Sequence, residues 1–446
     1  MTGKKHSIQS CHALLVLILV CVAGATTACA NNSQSYDQNL QAAPSGQHTI
    51  FLISIDGLRP DYMDRAHTPN IDRLRATGAW SMEAVPAFPT LTFSSHTSIA
   101  TGTKTAAHGV PSNSFYDSRD QRIYRFPGWQ RLLEAEPFWT TATRQGVRTL
   151  VLDWVLAHEQ DNLPYPSAYF GQSYTRGISD TERVARILDT WEADEADTPL
   201  RFMLAYGSAP DSAGHSYGPD SSEVEIAVEE ADQLIGFAHE RALALWKASN
   251  PGPEDDFFFI LLSDHGMTHV DYLVHLPRAA GLLDRDDITI VTSGSIGHIF
   301  FDFSEGKVTG QEIANVVAAL NAFDFIDAYR REDLPEKWDY AHPYRTGDIV
   351  ASLTPGHTFS TRPAEIKLAT GSGVGPLGMH GYDPRVDPNM NTILVMNRAG
   401  QDLGGIDLGR VELIETHSLV AGLLGIEPSE VARPVTGRLL EWLQGQ

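Results

Sequence analysis

Three stretches of the sequence are continuously apolar, and each leads to an aspartate. In chain order they are residues 50–55 before Asp56, residues 200–206 before Asp211, and residues 257–263 before Asp264. Unbroken apolarity, rather than alternation, is typical of strands buried on both faces, as in a parallel sheet covered by helices. Residues 147–152 and 392–396 have the same character. The chain is therefore predicted to contain a mostly parallel sheet.

Helix signals separate these strands. Thr68-Pro69 is typical of a helix start, and Gly78 is expected to end that helix. Ser222 and Glu225 match a capping box before a long amphipathic stretch. Strands that alternate with helices predict an α/β fold, with an open sheet and helices on both of its faces.

Residues 288–370 have a different pattern. Two runs rich in β-branched and aromatic residues, 288–292 and 299–301, flank a Ser-Gly-Ser turn and predict a hairpin. We expect this stretch to form a small antiparallel lobe inserted in the main domain.

The N-terminus resembles an export signal. Two lysines precede an apolar run at 13–23, which is shorter than the roughly 20 residues that span a bilayer, so an uncleaved anchor is disfavoured. Ala28-Cys29-Ala30 offers either a cut after Ala30 or a lipid-bearing Cys29. The predicted organisation is a signal peptide at 1–29, a flexible linker at 30–47 and the enzyme domain at 48–446. The protein is therefore expected in the periplasm or lipid-anchored at a bacterial cell envelope.

Charge and cysteine content restrict the chemistry. The 56 acidic and 33 basic residues give a formal charge of −23, which disfavours a stable nucleic-acid partner. An acidic protein can still bind a phosphate ester where metal ions supply positive charge. All three cysteines lie within the first 29 residues, so the domain has no cysteine nucleophile or ligand.

Metal ligands are predicted at the ends of the apolar runs. In open α/β sheets, ligands bind beyond the carboxyl ends of the strands, where these aspartates are expected to meet. His215 and His265 follow two of them closely, and His380 lies in a turn-rich segment. Carboxylate and imidazole groups at loop positions could form two neighbouring zinc sites. Taken singly, an Asp-Gly or Asp-His pair is more often a turn or a helix cap.

A hydroxyl at a helix start is the second chemical feature. Thr92 opens a short predicted helix, where the positive end of the helix dipole favours an alkoxide or a bound anion. The alternative is that Thr92 only caps the helix. Thr90, Ser94 and Ser95 are competing hydroxyls that the local pattern leaves open.

Five motifs in this order resemble those of the nucleotide pyrophosphatase/phosphodiesterase family of the alkaline phosphatase superfamily, in its bacterial type. They are Ile-Asp-Gly at 55–57, Thr-Phe-x-x-His at 92–96, Pro-Asp-x-x-Gly-His-x-x-Gly-Pro at 210–219, Ser-Asp-His-Gly-Met at 263–267 and Gly-x-His-Gly-Tyr at 378–382. The resemblance spans about residues 50–426, and segment 330–357 is similar as well. It implies an alkaline-phosphatase-like fold.

The resemblance also implies roles for individual residues. Thr92 corresponds to a nucleophile that forms a phosphothreonine, and it completes the shell of one metal ion. The implied ligands, most simply of two Zn²⁺ ions, are Asp211, His215 and His380 for one ion and Asp56, Asp264 and His265 for the other.

Three further positions correspond to substrate contacts of the family. Asn113 corresponds to an asparagine that hydrogen-bonds a non-bridging phosphate oxygen. Phe93 and Tyr206 correspond to positions that line the slot for a nucleobase or other group, although either could be an ordinary core or rim aromatic. The implied substrate is a small phosphate diester, most simply a nucleotide.

Two departures weaken the nucleotide assignment more than the catalytic one. Phe93-Ser94-Ser95-His96 stands where the family commonly has Phe-Pro-Asn-His, and a Trp-Pro-Gly-Ser segment is replaced at residues 153–156. Lipid or choline phosphodiesters, phosphonates and phosphomonoesters therefore stay open as alternative substrates. A metal-binding lipoprotein without activity is the alternative outside enzymes.

Overall fold

The apolar runs form the middle of a large sheet in the computed structural model, which describes residues 48–446 except 305, 307, 363–364 and 371–372. The predicted signal peptide and linker lie outside the described residues. The strands of the described residues are β1 Thr49–Ile55, β2 Ala79–Val85, β3 Ser114–Asp117, β4 Arg122–Arg125, β5 Arg148–Val151, β6 Tyr169–Phe170, β7 Leu200–Gly207, β8 Phe257–Leu262, β9 Thr268–His269, β10 Tyr272–Val274, β11 Ile288–Ser293, β12 Ile296–Phe301, β13 Ile326–Arg330, β14 Ile349–Leu353, β15 His357–Phe359, β16 Lys367–Ala369, β17 Gly378–Met379, β18 Thr392–Arg398, β19 Ile406–Asp407 and β20 Arg410–Glu412.

Helices connect and cover these strands. Those of the described residues are α1 Pro69–Thr77, α2 Thr92–Thr101, α3 Thr105–His108, α4 Phe138–Arg144, α5 Asp180–Glu192, α6 Ala209–Tyr217, α7 Ser222–Ala248, α8 Leu276–Ala279, α9 Gly310–Leu320, α10 Thr416–Leu424 and α11 Gly437–Gln444. None of them combines the length and apolarity needed to cross a bilayer.

The central sheet has the order β19-β2-β18-β8-β1-β7-β5-β6, and β20 also pairs with β2. Strand β1 lies between β7 and β8 and is parallel to both. Strand β18 is antiparallel to both β8 and β2. Residues 392–396 were expected to form a parallel strand like the others, and this prediction of strand direction was wrong. An apolar run reports burial on both faces, and β18 has that burial whichever way it runs.

Side chains of β1 alternate between two cores. Ile50 and Leu52 face one core with α2, α4, α10 and α11, whereas Phe51 and Ile53 face another with α1, α5 and α7. Each fully buried Leu, Ile or Phe contributes roughly 1.5–3 kcal/mol relative to exposure. The buried sheet thus forms a firm support for the loops at its carboxyl edge.

The starts of α1 and α7 agree with the sequence prediction within one residue. Helix α1 begins at Pro69 and ends before Gly78, although the Thr68 side chain makes no capping hydrogen bond. The N-cap of α7 is Ser221, whose hydroxyl accepts from the Val224 amide. The predicted N-cap, Ser222, was therefore one residue too late, and the capping box is not formed, because Val224 rather than a Glu or Gln stands three residues after Ser221.

Strands β11 to β14 form a separate four-stranded antiparallel sheet, in the order β11-β12-β14-β13. Helices α8 and α9 help to bury one face of it in a core of its own. We call residues 288–353 the antiparallel lobe. The sequence predicted that the lobe extends over residues 288–370, and the limit at residue 370 stays a prediction. The next three-stranded sheet, β15-β10-β16, combines strands from within and before that range.

Candidate functional site

Three aspartates meet at the carboxyl edge of the central sheet. Asp56 directly follows β1, and Asp264 follows β8 after Ser263. Asp211 lies in α6, which begins two residues after β7, so its predicted loop position was wrong. The helix has a physical advantage, because residues four apart share one face and Asp211 is thereby aligned with His215.

The first cluster consists of Asp211, His215 and His380, whose ligand atoms all lie within 4.8 Å of one another. The Oδ1 atom of Asp211 is 3.3 Å from Nε2 of His215. It is 3.4 Å from Nε2 of His380. Residues from α6 and from the segment after β17 therefore point their ligand atoms at one position.

The second cluster consists of Asp56, Asp264 and His265, again within 4.8 Å of one another. Nε2 of His265 is 3.3 Å from Oδ1 of Asp56 and 3.1 Å from Oδ2 of Asp264. All three residues are buried. The sequence prediction had grouped the ligands into these same two sets.

The two clusters are neighbours. The rings of His265 and His380 are stacked with centroids 3.5 Å apart. Gly57, at φ +71°, brings Asp56 and Asp211 together, since a Cβ at this glycine would lie 2.9 Å from the Asp211 backbone. Both the positive φ and this close approach require glycine after Asp56.

The hydrogen bonds of the three histidines fix their tautomers. Each Nδ1 lies against a backbone carbonyl: His215 on Gly378 at 2.8 Å, His380 on Thr90 at 2.8 Å and His265 on Gly266 at 3.0 Å. A carbonyl only accepts, so each Nδ1 carries the proton and each Nε2 presents a lone pair to its cluster. This is the arrangement that orients imidazole ligands of metal ions.

The carboxylates of the site lack protein cations. In the part of the chain that the structure describes, their ion-pair contacts are all to histidines. Burial raises the pKa of Asp56, and the nearby Asp264 and Asp211 raise it further. Burial and Asp211 likewise raise the pKa of Asp264. Burial lowers the pKa of His380 to about 4, so that histidine is neutral at pH 7.

One buried oxygen of each aspartate has no hydrogen-bond partner, namely Asp56 Oδ1, Asp211 Oδ1 and Asp264 Oδ2. These are the atoms closest to the histidine Nε2 lone pairs. Unpartnered buried anions are unfavourable unless a cation joins them. Three carboxylates and three neutral imidazoles therefore fit two divalent metal ions.

Thr92 is the first residue of α2, and its hydroxyl is 3.2 Å from Nε2 of His265. The N-cap position belongs to Leu91, and no side chain caps this helix. The capping alternative for Thr92 is therefore wrong. Its hydroxyl lies instead beside the second cluster, at the positive end of the helix dipole.

The competing hydroxyls lie elsewhere. Thr90 donates to the Tyr382 carbonyl and accepts from the Gly381 amide, which ties down the segment after His380. Ser94 and Ser95 are buried, and their hydroxyls have no hydrogen-bond partner. Of these four hydroxyls, only that of Thr92 makes a hydrogen bond to a cluster residue.

Asn113 lies next to Thr92 in space. Its Oδ1 accepts from the Phe93 amide at 2.9 Å. Because the carboxamide oxygen receives this bond, its amino group is directed away from that contact and can donate to a ligand oxygen. Asn113 is half-buried.

Aromatic rings surround the site. Phe93 is half-buried and meets Phe126, which is 60% exposed, edge to face at 5.8 Å. Tyr206 donates its hydroxyl to Oδ2 of Asp56 at 2.6 Å, and its ring is 6.4 Å from that of Tyr174. Tyr206 thus orients a cluster carboxylate, and its place in a substrate slot stays a prediction.

Sequence reasoning missed Phe126 and Tyr174. Tyr174 is 38% exposed and stacks on the Arg183 guanidinium. Phe126 has a positive φ of 44°, unusual for a bulky residue and found mostly where tertiary contacts impose it. The Pro-Gly pair after Phe126 was the one local signal of a special backbone there.

Residues within or next to the two departures from the family pattern make buried contacts. His96 donates from Nδ1 to the Thr92 carbonyl and accepts from Ser54, so both ring nitrogens are used. Trp154 is buried against His96 with ring centroids 5.1 Å apart. Asp153 accepts a buried hydrogen bond from Arg183 at 2.7 Å.

Comparison with known proteins gives a consistent result. The sequence model of the type I phosphodiesterase / nucleotide pyrophosphatase family matches residues 50–383. The chain is 28% identical over 425 residues to bis(5'-adenosyl)-triphosphatase ENPP4 of Bos taurus, covering 93% of this chain and 84% of that one. It is 28% identical to ectonucleotide pyrophosphatase/phosphodiesterase family member 1 of Homo sapiens, and the match covers 88% of this chain and 42% of the human protein.

Solved structures share the fold. Murine ectonucleotide pyrophosphatase/phosphodiesterase 5 superposes with a TM-score of 0.71 at 25% identity, over 87% of this chain and 97% of that one. An inactive variant of the murine protein, solved in complex with AMP, superposes with a TM-score of 0.72 at 24% identity over the same shares. The predicted α/β fold is confirmed, with a mostly parallel central sheet and smaller antiparallel sheets.

Proposed function

This chain belongs to the type I phosphodiesterase / nucleotide pyrophosphatase family, and from that premise we propose that it hydrolyses phosphodiester or pyrophosphate bonds of nucleotides through a phosphothreonine at Thr92. The observation that carries the proposal is the position of the Thr92 hydroxyl. It lies 3.2 Å from His265, at the start of α2 and beside two sets of metal ligands.

The first and second clusters would each hold one divalent cation, for which Zn²⁺ suits the mixed imidazole and carboxylate donors. When bound, the two ions would supply Lewis acidity and offset negative charge on the phosphate and on both exchanging oxygens. The side chains of the protein would supply the nucleophile and a hydrogen-bond donor to the phosphate.

In the first step, Oγ1 of Thr92 attacks phosphorus, and the bond to the leaving oxygen breaks. The product is a phosphothreonine, and the leaving group departs as an alcohol or a phosphate. In the second step, water attacks the same phosphorus and Oγ1 of Thr92 leaves. The hydroxyl proton that Thr92 gives up in the first step is replaced in the second by one from the attacking water. The amino group of Asn113 would donate to a non-bridging oxygen, where negative charge grows in both transition states.

A diester suits this site better than a monoester. In the described residues, no ion pair joins Lys or Arg to the cluster aspartates. Asn113, the side chain beside the nucleophile, is neutral. A diester carries one negative charge and a monoester two, so cluster aspartates that pair with no Lys or Arg among the described residues favour the diester.

Support for nucleotides comes from relatives and from aromatic rings. A homologous structure contains AMP, and a relative is named as a bis(5'-adenosyl)-triphosphatase. Phe93 with Phe126, and Tyr174 beyond Tyr206, present partly exposed rings near the site. Such rings can stack on a nucleobase.

The decisive measurement is a pair of initial rates on p-nitrophenyl thymidine monophosphate and p-nitrophenyl phosphate, with zinc-loaded protein. We expect a large preference for the diester. A preference for the monoester would assign the protein to the phosphatases. Faster turnover of a choline or lipid phosphodiester, or of a phosphonate ester, would overturn the nucleotide assignment.

Thr92→Ala tests the nucleophile. We expect turnover to fall by more than about 10³-fold while bound zinc is retained. The matched control is Ser94→Ala, which removes a neighbouring hydroxyl in the same helix and should keep activity within about threefold. Normal turnover by Thr92→Ala would disprove the proposed nucleophile.

We further propose that the protein is a bacterial-type member of the family, exported and lipid-anchored or periplasmic. The support is the leader pattern around Cys29. Labelling with radioactive palmitate should mark the wild type and not Cys29→Ser. Release of unlabelled wild type into the periplasm would indicate cleavage without lipidation.

A further inference from the structure

We propose that the antiparallel lobe sets the position of Asn113, and that Tyr340, His298 and Arg345 are positioning residues for the reaction. The inference rests on the proposed role of Asn113 at the phosphate. Segment 330–357 matched the family in sequence, and the catalytic steps above leave it without a role. Its contacts supply one.

The Asn113 loop, Gly109–Asn113, joins α3 to β3 and contains no regular secondary structure. Its position must therefore come from groups outside it. On the catalytic side, Asn113 is tied by its side chain to the Phe93 amide. The Asn113 carbonyl accepts from the Phe126 amide at 2.9 Å.

On the opposite side, a buried hydrogen-bond chain from the lobe ends on this loop. The Gly347 amide donates to Nδ1 of His298 at 3.1 Å, so Nε2 carries the ring proton. Nε2 of His298 then donates to the Tyr340 hydroxyl at 2.9 Å. That hydroxyl donates to the Pro111 carbonyl at 2.8 Å, two residues before Asn113.

The donors and acceptors of these hydrogen bonds cannot exchange roles. His298 is fully buried, and burial lowers its pKa to about 3, so the ring stays neutral with a single proton. Tyr340 is 1% exposed and cannot exchange its partner for water. The Tyr340 hydroxyl is thus committed to Pro111, and a low dielectric strengthens each bond of the chain.

Arg345 provides a second attachment. Its Nη1 donates to the Gly109 carbonyl at 2.8 Å and to the Leu132 carbonyl at 2.7 Å. Its Nε donates to Asp117, the last residue of β3, at 2.8 Å. One guanidinium, 3% exposed, therefore holds the first residue of the Asn113 loop and the last residue of the strand that follows it. A planar fork of donors can do this, whereas a lysine ammonium cannot.

These contacts are with residues more than 200 positions away in the chain. They fix a backbone whose side chain must meet a phosphate oxygen within hydrogen-bond range. A displacement of about 1 Å at such a contact can reduce turnover by about 100-fold. The lobe thereby determines transition-state stabilisation without touching the substrate.

A double-mutant cycle tests this, with kcat and KM measured on p-nitrophenyl thymidine monophosphate and zinc content checked for each variant. Asn113→Ala alone should lower kcat by about 100-fold or more, as for loss of an oxyanion donor. Tyr340→Phe alone should lower kcat about tenfold, with KM changed by less than about twofold. In the Asn113→Ala background, Tyr340→Phe should cost less than about twofold, because the group it positions is gone.

Ser418→Ala is the matched control, since it removes a part-buried hydroxyl-to-carbonyl hydrogen bond, to Arg433, and neither residue belongs to the two clusters or to the Asn113 loop. It should change kcat by less than about twofold in either background. A purely structural role for Tyr340 would instead multiply its loss with that of Asn113→Ala, and this outcome would overturn the inference.

The remaining outcomes separate the inference from the proposed function. If Asn113→Ala loses activity and Tyr340→Phe does not, the positioning role is wrong and the function stands. If Asn113→Ala has no effect, the proposed role of Asn113 is wrong and the inference fails with it. Arg345→Lys gives a second reading: it should lower kcat at unchanged zinc content, and full activity would contradict the inference.

Discussion

The first and second clusters and the contacts between the lobe and the Asn113 loop are both buried and polar, and they differ in completeness. Both contain Asp and His, and the lobe contacts also contain Tyr and Arg. In the clusters, one oxygen of each aspartate has no partner. In the lobe contacts, Asp117, His298, Tyr340 and Arg345 have all their buried side-chain nitrogen and oxygen atoms partnered.

The pKa values of the carboxylates also differ between the clusters and the lobe contacts. Burial raises the pKa of Asp264, and the nearby Asp211 adds to this. Burial opposes ionisation of Asp117 too, but hydrogen bonds from Arg119 and Arg345 outweigh it and lower the pKa of that carboxyl. Buried polar groups whose hydrogen bonds are all made within the protein support the fold, whereas buried polar groups without partners indicate a ligand site.

Metal removal should give the largest difference between the two regions. After exhaustive chelation, turnover should fall by more than about 10³-fold, since both charge stabilisation and nucleophile activation are lost. Zinc restored at about 1,000 times its Kd should add about 4 kcal/mol to the free energy of unfolding. Activity and thermal unfolding measure the two effects.

Histidine variants test whether zinc binds at the clusters rather than at the lobe contacts. His215→Ala should reduce bound zinc from two ions to one per chain, and His298→Gln should leave two. Elemental analysis of the purified proteins measures this directly. Equal zinc content in wild type and His215→Ala would remove that residue from the first cluster.

Neutralising one carboxylate should have opposite effects in the two regions of the metal-free protein. Asp117→Asn should lower the free energy of unfolding by about 3–5 kcal/mol, because the buried Arg345 loses its closest anion and keeps only Glu134, at 3.5 Å. Asp264→Asn should raise it by about 1 kcal/mol, since it removes an uncompensated buried charge. Its amide could also donate to Nε2 of His265, which is 3.1 Å from Oδ2.

Urea unfolding after chelation measures both variants. Destabilisation by Asp264→Asn of the same size as by Asp117→Asn would mean that the second cluster is already complete without metal. The comparison between the regions would then fail.

The sequence predicted the incomplete region better than the complete one. The candidate ligands of both clusters follow buried strands or lie in short motifs, so local pattern and family resemblance sufficed to name them. The hydrogen bonds of Tyr340 and Arg345 join segments more than 200 residues apart, and no local signal marks a tertiary contact of that kind. The same limit explains why Phe126 and Tyr174 were missed.

Errors in the fold prediction have a related cause. Apolar runs report burial, so they predicted five strands of the central sheet and could not give the direction of β18. Asp211 was expected in a loop, because the turn-like residues near it gave no hint that α6 begins so soon after β7. Pairing and exact boundaries are set by tertiary contacts.

Acid should destabilise the lobe contacts through His298. Its folded-state pKa is about 3, below the unfolded value near 6.5, because burial disfavours the charged ring. Only the unfolded chain binds this proton between those values, so stability is present above pH 6.5 and is lost as the pH falls. Between pH 7 and 5 the loss should be about 2 kcal/mol for this one residue.

His298→Gln should remove that part of the pH dependence. Urea unfolding of both proteins at pH 7 and pH 5 gives the comparison, and the variant should lose about 2 kcal/mol less than wild type. His67→Gln, a substitution of a surface histidine, is the control and should follow the wild type. An unchanged pH dependence in His298→Gln would show that folding does not lower the pKa of His298.

The smallest effect is expected inside the lobe contacts, between two arginines that share Asp117. Arg119 is 43% exposed and pairs with Asp117 at 2.8 Å, whereas Arg345 is 3% exposed and pairs with the same carboxylate at 2.8 Å. Arg119→Ala should lower the free energy of unfolding by less than about 1 kcal/mol, because water screens an exposed pair and replaces the lost donor. Arg345→Ala should cost several times more, since the Gly109 and Leu132 carbonyls also lose their donor. Equal costs in urea unfolding would mean that the carboxylate of Asp117, rather than burial of its partner, determines the strength of this attachment.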